Sequence, residues 1–217
     1  MQKIKNIIFD LGGVIVNIDI NLTVNAFKKL GVENFDEVYS KLKQNELFDQ
    51  FETSKISSNK FREKLLEYAH HPISTDEIDM AWNALLLDLP KERLALLARL
   101  KTKYRLFLLS NTNEIHMREF AKQLQKNYGF DNLSHLFEKH YFSYEMKKRK
   151  PNAEAFAMVL NENKLLANET LFIDDTLQHI LGARQLEIQS LHLKSNITIN
   201  QLFDNDLVLK AEFLERL

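Results

Sequence analysis

Apolar positions along this chain fall into two patterns. Short, nearly unbroken apolar runs lie at Ile4–Phe9, Leu106–Leu109, Thr170–Ile173 and Ile188–Leu193, with a weaker one around His140–Tyr144. Each is bounded by polar or turn residues and has the length of a strand rather than a helix. Apolarity without alternation suits parallel strands buried on both faces.

Between these runs the apolar positions recur at helical spacing. Leu94, Leu97 and Leu100 line one side of Glu92–Leu100, and Ile115, Phe120 and Leu124 form a stripe along Glu114–Tyr128. Ala153–Leu160 begins just after Pro151, where proline favours a first turn, and Thr176–Arg184 precedes the last strand. Strand and helix in alternation predict an α/β fold, a doubly wound, Rossmann-like and mainly parallel sheet with right-handed crossovers. Ile20–Leu89 breaks that rhythm. Nothing in it reads as a strand, and helical periodicity returns at Leu22–Leu30, Asp36–Leu42, Phe61–Tyr68 and Asp76–Leu87. The expected organisation is an α/β core of residues 1–19 and 90–217, with residues 20–89 inserted as an all-helical cap.

Composition narrows the function classes. A chain of 217 residues, 45% hydrophobic and 27% charged, has the make-up of an ordinary globular protein, one domain with a smaller insertion. Its 29 basic residues balance 30 acidic ones, which gives no electrostatic reason to expect nucleic acid or an anionic membrane as partner. The absence of cysteine excludes disulfides, thiolate metal sites and thiol nucleophiles. The opening MQKIKNIIFD is too short for a signal-peptide core, and no run reaches the length of a membrane span. A cytoplasmic protein, monomer or homodimer, is expected. The basic run Lys147–Lys150 reads as a solvated loop leading into Lys150, and His70-His71 lacks the third ligand a metal pair would need.

In open α/β sheets ligands bind beyond the carboxyl ends of the strands, so the residues just past each strand matter most. They are Asp10-Leu11-Gly12-Gly13, Ser110-Asn111-Thr112-Asn113 and Asp174-Asp175-Thr176, with Arg149-Lys150-Pro151 ahead of a helix. Carboxylates from two strand ends suit a hard cation such as Mg²⁺. A lysine, a serine and the backbone N–H groups of the Ser-Asn-Thr turn suit a dianionic phosphate. Asp10, fixed beside both, could then attack phosphorus and form an acyl phosphate. His116, on the first turn of its helix, is a candidate for substrate contact or proton transfer.

FDLGGV, LLSNT, RKP and FIDD, in that order, resemble the four motifs of the haloacid dehalogenase superfamily of hydrolases. The resemblance spans about residues 4 to 193, and a helical insertion after the first motif matches one of that superfamily's cap types. It implies that Asp10 is the nucleophile and a Mg²⁺ ligand, that Ser110 and Lys150 bind the phosphoryl group, and that Asp175 is the main ligand from the fourth motif with Asp174 assisting. Gly12 would give its backbone carbonyl to the metal. The pattern further resembles sugar-phosphate phosphatases of the α-glucose-1-phosphate type, with a small phosphorylated metabolite as substrate.

Gly12 is a departure, because phosphatases of the superfamily usually carry there a second aspartate that protonates the leaving group. Proton transfer of that kind contributes ~10²–10⁴-fold. Two alternatives therefore accompany the phosphatase reading. One is a 2-haloacid dehalogenase, whose halide leaves without a proton. The other is a protein that binds a phosphorylated ligand without turnover. Lys147 and His179 are smaller departures from the third and fourth motifs.

Overall fold

The computed structural model describes residues 4–32, 35–44 and 46–214, leaving the ends of the expected core and positions 33, 34 and 45 of the expected cap outside the described residues. In chain order, β1 (Asn6–Phe9) is followed by five helices, α1 (Ile20–Lys29), α2 (Phe35–Gln44), α3 (Leu47–Glu52), α4 (Ser58–Leu66) and α5 (Thr75–Asn83). Next come α6 (Lys91–Leu100), β2 (Arg105–Ser110), α7 (Glu114–Tyr128) and β3 (Lys139–Phe142). Then follow α8 (Ser143–Met146), α9 (Ala153–Asn163), β4 (Thr170–Asp174), α10 (Leu177–Arg184) and β5 (Gln189–His192). All five expected strands are present. Among the described residues, no helix is long and apolar enough to cross a membrane.

The chain divides into two compact units. One comprises Met1–Asn17, Asp88–Asn111 and Leu133–Leu217; the other comprises Ile18–Leu87 and Thr112–Asn132. The first holds the sheet, five parallel strands in the order β3-β2-β1-β4-β5. Its centre is β1, buried along its whole length, as is β4 beside it. Phe9 pairs with Leu108 on one side and Ile173 on the other. The next ladder bond runs from Asp10 N–H to the Ile173 carbonyl at 2.9 Å, so Asp10 leaves β1 level with Asp174. Parallel pairing brings the carboxyl ends of all three strands to one edge.

The second unit is helical, and its core is aromatic. Phe27 stacks on Phe35 with ring centres 4.3 Å apart, Phe51 on Phe61 at 4.1 Å and Phe48 on Trp82 at 5.4 Å. Helices α1, α4 and α5 start on capping side chains. Asp19 accepts from Asn21 N–H, Ser57 from Lys60 N–H, and Ser74 forms a reciprocal box with Glu77.

The structure differs from the sequence-based expectation in three places. Helix α7 groups with the helical unit instead of the core, because Ile115 joins that unit's apolar cluster and His116 stacks on Trp82. Helix α3 has only six residues, too few to show a repeating stripe, yet it buries Leu47, Phe48 and Phe51. The helix expected over Asp76–Leu87 stops at Asn83, since the chain turns at Ala84 and Leu85 and Leu86 forms an antiparallel bridge with Ile18.

Candidate active site

Asp10 sits directly after β1, and the loop it opens is tightly tied. Ile15 and Val16 N–H both reach back to the Leu11 carbonyl, and Gly13 N–H donates to the Val16 carbonyl at 2.8 Å. Buried Arg93 of α6 braces the far side, donating to the Ile15 carbonyl at 2.9 Å and to Asn17 Oδ1 at 2.8 Å. The turn itself depends on Gly13, whose φ is +74°. A Cβ at that position would lie 2.2 Å from Asp175 Oδ2, so glycine is what lets the second strand end close on the first.

Lys150 is the hub of the site. Its side chain is fully buried, and its Nζ donates to Asp10 Oδ1 at 2.7 Å and to Asp174 Oδ2 at 2.6 Å. The ammonium also lies 5.4 Å from the centre of the Phe172 ring. Asp174 is held from two further directions, by Thr176 N–H at 2.8 Å and by His179 Nδ1 at 3.0 Å from each carboxylate oxygen. Asp10, Asp174 and Asp175 each offer a carboxylate oxygen within 4.8 Å of the others. Asp175 is fixed by its backbone, whose carbonyl accepts from His192 Nε2 at 2.9 Å. Ser110 ends β2 opposite Phe142 and is buried.

Electrostatics divide the carboxylates. Burial pushes Asp10 up to about 7, with Asp174 and Asp175 adding to the rise and Lys150 offsetting part of it. Burial would raise Asp174 as well, but Lys150 and the His179 hydrogen bond outweigh it and bring it down to about 2. Asp175 is raised, first by burial and then by Asp174. For Lys150 burial works against the charge, yet Asp10 and Asp174 outweigh it and raise the ammonium. Three carboxylates facing one ammonium leave a formal charge of 1 − 3 = −2, the deficit a divalent cation fills. An all-oxygen donor set of this size fits Mg²⁺ and gives a soft metal no ligand.

Of the residues singled out in the sequence, Asp10, Lys150, Asp174 and Asp175 come together at one sheet edge, and Gly12 lies two positions past Asp10 in the braced loop. Asn111 is turned elsewhere. Its amide holds the backbone of Lys150, accepting from Lys150 N–H at 2.9 Å and donating to the Lys150 carbonyl at 2.8 Å. Thr112 and His116 belong to the helical unit. The His116 ring stacks on Trp82 at 5.1 Å with its Nδ1 2.8 Å from Asn83 Oδ1, and burial lowers its pKa to about 3, so the imidazole is neutral at physiological pH. Sequence reasoning marked His179 as a departure within the fourth motif but gave it no partner; the structure sets it against Asp174, five residues before it.

Known proteins share this chain's sequence and fold. The haloacid dehalogenase-like hydrolase family profile matches residues 4–187. A D-ribitol-5-phosphate phosphatase of Bacteroides thetaiotaomicron is 32% identical over 187 residues, covering 86% of this chain and 90% of that protein. A haloacid dehalogenase family enzyme of the same organism, solved with magnesium and inorganic phosphate, superposes with a TM-score of 0.84 at 37% identity over 93% of this chain and 100% of that one. An L-2-haloacid dehalogenase of Xanthobacter autotrophicus shares the fold with a TM-score of 0.59 at 19% identity, over 88% of this chain and 77% of that one. On the profile match and on the ribitol-phosphate relative, this chain belongs to the haloacid dehalogenase-like hydrolase family.

Proposed function

We propose that this protein is a Mg²⁺-dependent phosphatase of a small phosphorylated sugar or polyol, working through an aspartyl phosphate on Asp10. The observation that carries this reading is the buried Lys150 bridging Asp10 and Asp174, with Asp175 completing an oxygen cluster. A cluster short of two positive charges suits a divalent cation, and a cation beside a lysine suits a phosphate dianion. The ribitol-phosphate relative and the magnesium–phosphate complex of a structural neighbour support the same chemistry.

In this mechanism Asp10, Asp174, Asp175 and the Gly12 carbonyl hold Mg²⁺, which when bound offsets the repulsion between carboxylate and phosphate. Ser110 and Lys150 hold the phosphoryl oxygens, and the N–H groups of the Ser110–Thr112 turn add donors. Asp10 attacks phosphorus in line as the sugar oxygen leaves, forming the P–O bond of the acyl phosphate. Water then attacks that phosphorus and releases phosphate, which regenerates the carboxylate. Lys150 Nζ, already 2.7 Å from the nucleophile, neutralises the charge that builds on the equatorial oxygens. Gly12 has no side chain to protonate the leaving oxygen. Asp19 is engaged as the cap of α1, and neutral His116 carries no acidic proton to spare. We assign the proton for the leaving oxygen to water. We assign substrate selection to the helical unit, in which Thr112 and His116 lie.

The test is a Mg²⁺-supplemented screen of sugar, polyol and aryl phosphates with the Asp10→Asn variant beside the wild type. Phosphate release that needs both Asp10 and Mg²⁺ is expected. Activity on a 2-haloacid that survives EDTA would favour the dehalogenase alternative, and phosphate-ester binding without release would favour the binding protein.

A further inference from the structure

We propose that Asn111 and Gly182 are positioning residues that clamp the consecutive residues Lys150 and Pro151 and so set where the Lys150 ammonium meets the phosphoryl group. The inference rests on the phosphatase reading above. Lys150 reaches the site through a buried side chain, so any drift of its backbone moves Nζ relative to both carboxylates. Asn111 immediately follows Ser110 at the end of β2 and satisfies both polar groups of the Lys150 peptide, donor and acceptor, at 2.9 and 2.8 Å. That pairing imitates a rung of β-ladder, and it requires a side chain carrying one donor and one acceptor at this length. Aspartate supplies no donor, and alanine supplies neither partner.

The residue after Lys150 is met by α10. A Cβ built on Gly182 would lie 2.3 Å from the Pro151 carbonyl oxygen and 2.9 Å from Pro151 Cβ, so this helix packs on the residue following Lys150 at a distance only glycine permits. The helix that carries Gly182 also carries His179, which holds Asp174, the second partner of the ammonium. A shift of α10 would therefore move Lys150 and its counter-charge together. The clamp ties together the two groups proposed to hold phosphate, since Ser110 and Asn111 are consecutive on the chain.

The distinguishing experiment is a double-mutant cycle. If Asn111 and Gly182 act only through Lys150, removing the Lys150 side chain removes their effect. On p-nitrophenyl phosphate with Mg²⁺, Asn111→Ala is expected to lose ~10²-fold in kcat with KM within about threefold, the pattern of a misplaced group in the transition state. Gly182→Ala is expected to lose at least about tenfold in the same way. In the Lys150→Ala background each change should cost less than about threefold. A loss of full size in that background overturns the clamp, because Asn111 would then be touching substrate itself; so does the absence of any loss with Lys150 intact.

A second readout needs no turnover. Nitrogen NMR of the Lys150 ammonium reports its hydrogen exchange, which is slow while it bonds both carboxylates in a buried site. Either substitution is expected to speed that exchange about tenfold or more, and unchanged exchange overturns the proposal. Asn111→Ser serves where Asn111→Ala does not fold, and melting by circular dichroism identifies such a case. Should the wild type release no phosphate from any ester, the functional reading fails while the exchange measurement still decides the clamp.

Discussion

At the scale of single residues, the chemistry turns on how Asp10 shares its surroundings. Its carboxyl is held near pH 7 by burial and by two neighbouring acids. A carboxyl raised in the folded state contributes stability that is complete below its unfolded value and is lost as pH rises through the folded one. From about pH 4 to about pH 7 the metal-free protein should therefore lose Asp10's contribution, and melting temperature without metal should fall on that account. Mg²⁺ must displace the same proton. Its affinity, measured by calorimetry, is expected to rise about tenfold per pH unit up to about pH 7 and then level off. A flat affinity across that range would show that Asp10 is not a ligand. That Asp10, Lys150, Asp174 and Asp175 gather at one place was legible in the sequence, because the acids stand at strand ends and Lys150 precedes the proline ahead of α9. Asn111's partner was not legible. A backbone contact 39 residues away leaves no mark on local pattern.

Secondary elements show which local rules survive packing. The buried strands announced themselves by unbroken apolar runs, and the parallel sheet follows from helices placed between them. Elements of less than two turns escaped, α3 among them, because periodicity needs length to be visible. Turn chemistry at the end of β1 is the most exacting local feature. Gly13→Ala is expected to cost ~1–2 kcal/mol for the left-handed backbone alone. Because the added methyl would meet Asp175, Mg²⁺ affinity should fall at least about tenfold as well, from the loss of a well-placed ligand. Stability unchanged in urea denaturation, together with unaltered metal affinity, would contradict the role given to that turn. In the helical unit, Ser74→Ala removes the capping box of α5 and should cost ~1 kcal/mol without touching Mg²⁺ affinity.

Over the whole molecule, the two units are built differently. The α/β unit builds the carboxylate–lysine cluster, and the helical unit is held by a run of packed aromatic rings around Phe48, Phe61 and Trp82. Phe61→Ala is expected to destabilise the protein by ~3–5 kcal/mol in chemical denaturation, the usual cost of emptying a packed aromatic site. The two-part organisation was legible in the sequence as an all-helical stretch between two strands. The membership of α7 was not, because its amphipathic stripe says that one face is buried and is silent about which core receives it. The substrate lies beyond the reach of such patterns, since the side chains that select it are brought together only by folding. The measurement that bears most directly on the central claim is chemical trapping of the covalent intermediate. Protein quenched during turnover of a hydrolysed phosphate ester is reduced with borohydride and mapped by peptide mass spectrometry. The account predicts homoserine in place of aspartate at position 10 in the wild type, dependent on Mg²⁺, with no modification and no turnover in Asp10→Asn. Continued phosphate release by Asp10→Asn, or trapped phosphate on another residue, would contradict it.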